Sequence, residues 1–388
     1  MEARSFHVTV QGASHKKVDK ECQDSSRSID NERYSLAIVC DGHGGDDYVR
    51  SAVGSACACD AAEQNIRFFL ENVNVDELKI HSATLLKKLE ASIINDWNKL
   101  IHAHYDGHPF LESEISVLSD RAKNKYLQEK HIERAYGTTL IAVAVTADYW
   151  FGIQIGDGKC VAVSRNGDFT QPIPWNDKCF LNVTTSICGF EALADFREYY
   201  SDTPPAAVFI GSDGIDDCFI NDQQLYVLYN TVMYLFSSQE FDATVSELND
   251  YLPRLSAKGS GDDMSIAAVI HVNDISKLES VRNFDPDKEK SRQKQKADTE
   301  VADEAKVEED GHSASETEMP NQEAITDQET RINTEIPESS QELPPDRVAS
   351  FEDEDGAETP LSSSNKAKGK KVVPKLFAGF RMRKKKRK

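Results

Sequence analysis

Long apolar runs are missing from this chain. No stretch of about 18 apolar residues occurs in its 388 residues, so no transmembrane helix is expected. The opening residues, Met1 to His7, lack the apolar core of a signal peptide. Cys-x-x-Cys pairs are missing too. The eight cysteines (Cys22, Cys40, Cys57, Cys59, Cys160, Cys179, Cys188 and Cys218) lie mostly in apolar segments. They read as free thiols in a reducing cytoplasm, not as a disulfide frame or a zinc site. Tryptophan is scarce, and Trp97 and Trp150 fit a core role most simply. Positive charge is in short supply. With 45 Lys and Arg against 66 Asp and Glu, the net charge of −21 excludes broad nucleic-acid binding by the whole molecule. No internal repeat is visible.

What is present first is a folded pattern over roughly the first 272 residues. Phe6, Val8 and Val10 alternate as in a half-buried strand, and Tyr34 to Cys40 reads as a buried one. Ala52, Val53, Ala56 and Cys57 fall at helical spacing and predict a small-residue face packed on a sheet. Residues 75 to 105 predict a long amphipathic helix, ended by Asp106-Gly107-His108-Pro109. A polar insertion over about 109–133 follows, with a short helix near Asp120 to Glu133. Strands are expected over Thr139–Thr146, Tyr149–Ile155, Cys160–Ser164, Ala206–Gly211 and Ser265–Val272. Asn166-Gly167 marks a hairpin turn. Leu225–Phe236 and Phe241–Leu255 read as helices. Strands cluster and helices cluster, without regular alternation. The fold class is therefore α+β, two packed sheets with helices outside. From about residue 283 to 365 the chain is rich in Glu, Asp, Ser, Thr, Pro, Lys and Gln and nearly lacks aromatics. Such a segment buries too little apolar area to offset an ordering cost of roughly 1–2 kcal/mol per residue, so a disordered acidic linker is expected.

Five acidic points sit beside glycine or at the edge of an apolar run. They are Gln23-Asp24-Ser25, Cys40-Asp41-Gly42-His43-Gly44-Gly45, Gly156-Asp157-Gly158, Ser212-Asp213-Gly214 and Gly261-Asp262-Asp263. A single Asp-Gly step is ordinarily a turn. The five acidic points, four of them touching strand-like runs, read together as one site for hard cations, which take oxygen ligands. Asp41, Asp213 and Asp262 would repel one another if gathered without a cation.

In this order the motifs resemble the metal-dependent protein phosphatases of type 2C. Gly137-Thr138-Thr139 is similar to that family's Gly-Thr-Thr segment. Gly12-Ala13-Ser14-His15 with Cys22-Gln23-Asp24 is similar to a mostly bacterial branch. The resemblance spans roughly residues 5 to 272 and implies a four-layer α-β-β-α sandwich of two antiparallel sheets. It implies a catalytic unit over 1–275 that hydrolyses phosphoserine and phosphothreonine through solvent activated by two Mg²⁺ or Mn²⁺ ions, with a looser third. Asp41 would bridge the ions and the Gly42 carbonyl would complete the second. Asp213 and Asp262 would hold the first, Asp24 would orient its waters, and Asp157 would serve the third. His43 matches the general acid. Two departures stand out. Gln23 occupies a position where the family often has Glu, and the upstream phosphate-gripping arginine of eukaryotic members is absent, leaving His15, Lys16, Lys17 and Lys20. His15 and Lys16 are the candidate phosphate contacts. Asp263 stands where Asn is common.

Other features have plainer readings. His102, His104 and His108 read as solvated or capping histidines, not a metal cluster, and Cys22 and Cys40 as core residues. The end of the chain, 366–388, carries twelve basic residues and no acidic one. It fits a solvated tail, or docking on an anionic membrane, nucleic acid or an acidic partner. A pseudophosphatase used as a binding module, supported by Gln23, and a small-molecule phosphatase are the competing functions.

Overall fold

The computed structural model describes residues 3–180, 183–285 and 288. The acidic stretch beyond them and the basic end at 366–388 lie outside the described residues. Two five-stranded antiparallel sheets lie face to face. The first runs, in spatial order, β1 (Ala3–Val10), β10 (Met264–His271), β9 (Ala207–Gly211), β6 (Lys159–Val163) and β7 (Phe169–Thr170). The second runs β2 (Ser25–Asp30), β3 (Tyr34–Cys40), β4 (Leu140–Thr146), β5 (Trp150–Ile155) and β8 (Arg197–Ser201). Between the sheets Ala37, Val39, Val143, Val208, Ile210, Ala267 and Val269 form a thin core of small and β-branched side chains. The opposite face of the second sheet packs under α2 (Ser51–Asn72) and α3 (Val75–Gly107). That of the first sheet packs under α8 (Asp222–Ser238) and α9 (Phe241–Lys258). Central strands are thus covered on both faces, which is why every residue of β3, β4 and β9 is buried and why these strands read as continuous apolar runs. Each fully buried Val, Ile or Leu there contributes about 1.5–3 kcal/mol.

The expected α+β sandwich is the fold observed, with several local differences. The polar β2 and β8 lie at one edge each and carry no apolar alternation, so their sequences gave no strand signal. The small-residue face of α2 is rotated from the one expected. Gly54, Ser55, Ala58, Cys59 and Ala62 are buried, while Ala52, Val53, Ala56 and Cys57 are only half-buried. The reason is polar. Ser55 Oγ donates to the Gln23 carbonyl, and the Gly54 backbone lies against the Tyr136 carbonyl, where a Cβ would come within 1.8 Å. α3 runs the expected course with a kink at His81. The packed chain continues past β10. Leu278 and Val281 are buried in the core of the first sheet, and the Phe284 ring lies 5.3 Å from that of Tyr234.

The insertion is not a loose appendage. It forms α4 (Glu112–Val117), α5 (Asp120–Lys123), a π-turn over Asn124–Gln128 and a 3₁₀ turn over Glu133–Tyr136. Buried Arg50, at the start of α2, holds both oxygens of Glu114 at 2.7 and 2.9 Å and donates to the Pro109 carbonyl and the Tyr136 hydroxyl. Leu118, Ala122 and Tyr126 are buried behind it.

One ionisable group is enclosed away from the sheet ends. Glu90 of α3 is fully buried, and Lys87 Nζ stands 2.7 Å from its carboxylate. Burial outweighs that partner and pushes the Glu90 pKa from 4.5 up to about 7. The unfolded chain gives up this proton near 4.5 and the folded chain near 7, so stability falls as pH rises through that window and is level above it. In thermal melts, Glu90→Gln should gain stability relative to the wild type between pH 5 and pH 8, by up to about 3 kcal/mol. An equal offset at both pH values would contradict this assignment.

Candidate metal centre

The candidate aspartates meet where both sheets end. β3 delivers Asp41, and the chain then turns sharply. The Asp41 carbonyl accepts from Thr139 N and Thr138 Oγ1, both at 2.8 Å, and Asp41 N donates to Thr139 Oγ1 at 3.1 Å. The Gly-Thr-Thr segment is therefore a clamp on the Asp41 backbone. Gly42 N donates to the Gln23 carbonyl, and a Cβ on Gly42 would come within 2.5 Å of that oxygen. Only glycine allows this approach.

From the other sheet, β9 delivers Ser212 and Asp213, the latter opening the short α7 (Asp213–Asp216). A Cβ on Gly214 would fall 1.9 Å from the Asp263 carbonyl, so this turn too is restricted to glycine. Asp262 precedes β10 in a turn whose Gly261 has φ +79°. Asp157 follows Gly156 at φ +111° between β5 and β6. Asp24, buried between the sheets, accepts from Ser212 Oγ at 2.9 Å.

Electrostatics bind these positions into one site. Burial raises Asp41 well above the ordinary carboxylate range, and the charges of Asp24, Asp213 and Asp262 add to it. Asp213 is pushed up to about 7 by burial, then by Asp157 and Asp262 among others. Asp24 is raised by burial and by Asp263, and Asp157 chiefly by burial. The carboxyls of Asp41 and Asp213, from opposite sheets, come close enough for each to bear on the other's titration. Two carboxylates come this close only around a shared proton or cation. Asp41, Asp157, Asp213 and Asp262 are each half-buried, which leaves an edge open to solvent. Among the described residues, no three His, Cys, Asp or Glu side chains are placed so that together they could hold a metal ion. The donor set nevertheless fits a hard divalent ion: it is all oxygen, it is negatively charged, and it is lined by backbone that approaches closely.

The remaining sequence candidates divide. His43 follows the clamp, its N–H on the Gly137 carbonyl and its ring 4.7 Å from that of Tyr48. Burial, helped by Arg134, lowers its pKa to about 4, so the ring is neutral at pH 7. Gln23 is explained by donation. Its amide nitrogen donates to Ser51 Oγ and to the His43 carbonyl, which a glutamate could not do, and its buried Oε1 has no hydrogen-bond partner. His15 Nδ1 is 2.9 Å from Asp263, with Nε2 3.8 Å from Asp262, so its ring is held among carboxylates. Lys16 is exposed on the short α1 (Ala13–Lys17), and Lys20 Nζ donates to the Gly44 carbonyl. His102 pairs with Glu133, while His104 bonds the Tyr136 hydroxyl and stacks on His108. All eight cysteines are free thiols.

Sequence reasoning passed over Ser212, Tyr48 and Arg134. Ser212 could have been found from its place beside Asp213. Arg134 reaches His43 only through the fold and leaves no pattern in the sequence. The part of Asp263 also emerges here. Its carboxylate accepts from Gly12 N at 2.6 Å, from Gln23 N at 2.7 Å and from His15, so it fastens the two N-terminal motifs to β10. Asp263→Ala should strand these buried donors and cost about 3 kcal/mol in urea denaturation, and Asp263→Asn should cost less. An unchanged midpoint for Asp263→Ala would refute the fastening role.

The chain is similar to the catalytic domain of the serine/threonine protein phosphatase PstP solved with two manganese ions, at 18% identity over 69% of this chain and 97% of that one, TM-score 0.43. It is similar to RsbX in complex with magnesium, at 10% identity over 69% and 94%, TM-score 0.39. It is also similar to PppA of Pseudomonas aeruginosa, at 15% identity over 69% and 97%, TM-score 0.42. No curated protein sequence matches it. The sequence pattern of protein phosphatase 2C matches residues 11–253, well over half the chain. The chain belongs to the protein phosphatase 2C family and is a phosphoprotein phosphatase.

Proposed function

We propose that this protein is a metal-dependent serine/threonine phosphatase working through a binuclear Mg²⁺ or Mn²⁺ centre, with Asp41, the Gly42 carbonyl, Asp213, Asp262 and Asp157 as the holding groups. The observation that carries this reading is the meeting of Asp41 and Asp213 from opposite sheets, where burial first and neighbouring carboxylates second raise both pKa values. The family is metal-dependent, and PstP and RsbX were solved with manganese and magnesium. When bound, the ions lower the pKa of solvent and offset phosphoryl charge. The chain's own residues do the rest. The Thr138–Thr139 clamp fixes Asp41, so its carboxylate meets the substrate side without rearranging. Ser212 holds Asp24, which orients solvent between the sheets. His43 passes a proton to the leaving seryl or threonyl oxygen, and the negative charge of a phosphoester beside the ring opposes the shift that keeps it neutral. Gln23 leaves the site one negative charge short of the usual family pattern.

Asp41→Asn and Asp213→Asn should each lose Mn²⁺ binding in calorimetry and lower kcat on a phosphopeptide by about 100-fold or more, roughly 3 kcal/mol. Full activity with metal still bound in Asp41→Asn would sink the assignment.

The catalytic unit, in this reading, is the N-terminal folded part, and the acidic and basic stretches serve other ends. A chain ending after Asp285 should keep aryl-phosphate turnover within about two-fold of the full chain, because among the described residues the last packing contacts on the core fall at Val281 and Phe284. Collapse of that turnover would show that the boundary is misplaced.

A further inference from the structure

A cleft of about 1130 Å³ opens beside the metal centre, between α3, the insertion and the segment around Thr184 to Leu193. It does not contain the aspartates, but it adjoins them at two points. Tyr48 lines it and packs against His43, and Thr185 lines it and accepts from Gly156 N, next to Asp157, at 3.0 Å. Its charges are unevenly matched. Every acidic group on its walls is already engaged: Asp47 accepts from Ser119 N and Oγ at 3.0 Å, Glu133 holds His102 at 2.9 Å, and Asp195 holds Lys178 at 2.6 Å. The cations Arg121, Lys125 and Arg134 line the same walls, and none has an ion-pair partner among the described residues. Arg134 lies over the Tyr48 ring at 4.9 Å, and that ring packs in turn against His43 at 4.7 Å.

We infer that this cleft binds the acidic flank of the phosphoprotein substrate, a stretch of Asp or Glu beside the phosphoserine or phosphothreonine. The inference rests on the phosphatase reading above and names the substrate class of that site. The argument is one of charge and place. Three unengaged cations beside a site for a phosphoryl dianion create a positive field that begins at His43 and runs outward along the cleft. An acidic peptide bound there gives each cation the partner it lacks, while a basic flank meets repulsion. Arg134 acts nearest the phosphate and Arg121 and Lys125 farther out.

The test uses the full chain with Mn²⁺, an aryl phosphate, and phosphopeptides differing only in acidic, neutral or basic flanks. The wild type should favour the acidic over the neutral flank by about ten-fold in kcat/KM, and added salt should erode that ratio. Arg121→Glu/Lys125→Glu should abolish or reverse the ratio while leaving aryl-phosphate turnover unchanged. Anisotropy of a labelled acidic phosphopeptide provides a second readout that needs no turnover, and the same double variant should weaken that binding by a similar factor. A wild type without flank preference overturns the inference, whether the chain's own acidic stretch fills the cleft or nothing does. So does a preference that survives the double variant. Failure to hydrolyse even the aryl phosphate would instead count against the phosphatase reading, with the anisotropy arm still judging the cleft.

Discussion

Carboxylates resist being gathered. Here Asp24, Asp41, Asp157, Asp213 and Asp262 are drawn to one end of a sandwich against their mutual repulsion, and what holds them is backbone. The Asp41 carbonyl and amide are pinned by Thr138 and Thr139, Gly42 is pressed on Gln23, Gly214 on Asp263, and Gly12 N is tied to the Asp263 carboxylate. The bonds that cross between the sheets, Ser212 Oγ on Asp24 and Gln23 N on Asp263, form because the two sheets end together, and they end together because small and β-branched residues such as Ala37, Val39, Val208 and Ala267 let the sheets close on each other. Burial at that end, with the neighbouring carboxylates adding to it, raises the pKa values of Asp41 and Asp213.

Much of this was legible in the sequence because the rigid parts are written locally. Continuous apolar runs marked β3, β4 and β9, since strands covered on both faces have no polar side to show. The Asp-Gly steps marked the turns after them, since only glycine fits where backbone meets backbone. The edge strands β2 and β8 were silent because an edge next to solvent tolerates Ser, Arg and Tyr. The rotation of the α2 face was hidden because it is set by hydrogen bonds from Ser55 and by one close approach at Gly54, and hydrophobic spacing does not report either.

The site residues show the same division. The aspartates announced themselves by their neighbours. Gln23 looked like a weakness, and the structure supplies a positive reason for it, since the amide donates where a carboxylate has nothing to donate. Asp263 looked like a surplus charge beside the metal. Its oxygens are instead spent on Gly12, Gln23 and His15, which joins three segments far apart in sequence. Arg134 was invisible for the complementary reason: its relevance comes from lying over Tyr48, and nothing adjacent to it in the chain encodes that.

The guanidinium of Arg50 ties the start of the helix after Asp41 to the polar insertion through Glu114, Pro109 and Tyr136. The segment bearing Arg121 and Lys125 is thus mounted on the scaffold through a rivet that touches none of the clustered aspartates. On the proposed reading, recognition and turnover sit on separable parts: the insertion can be rewritten in length or charge, and the preferred target redirected, without moving the strand ends that carry the aspartates.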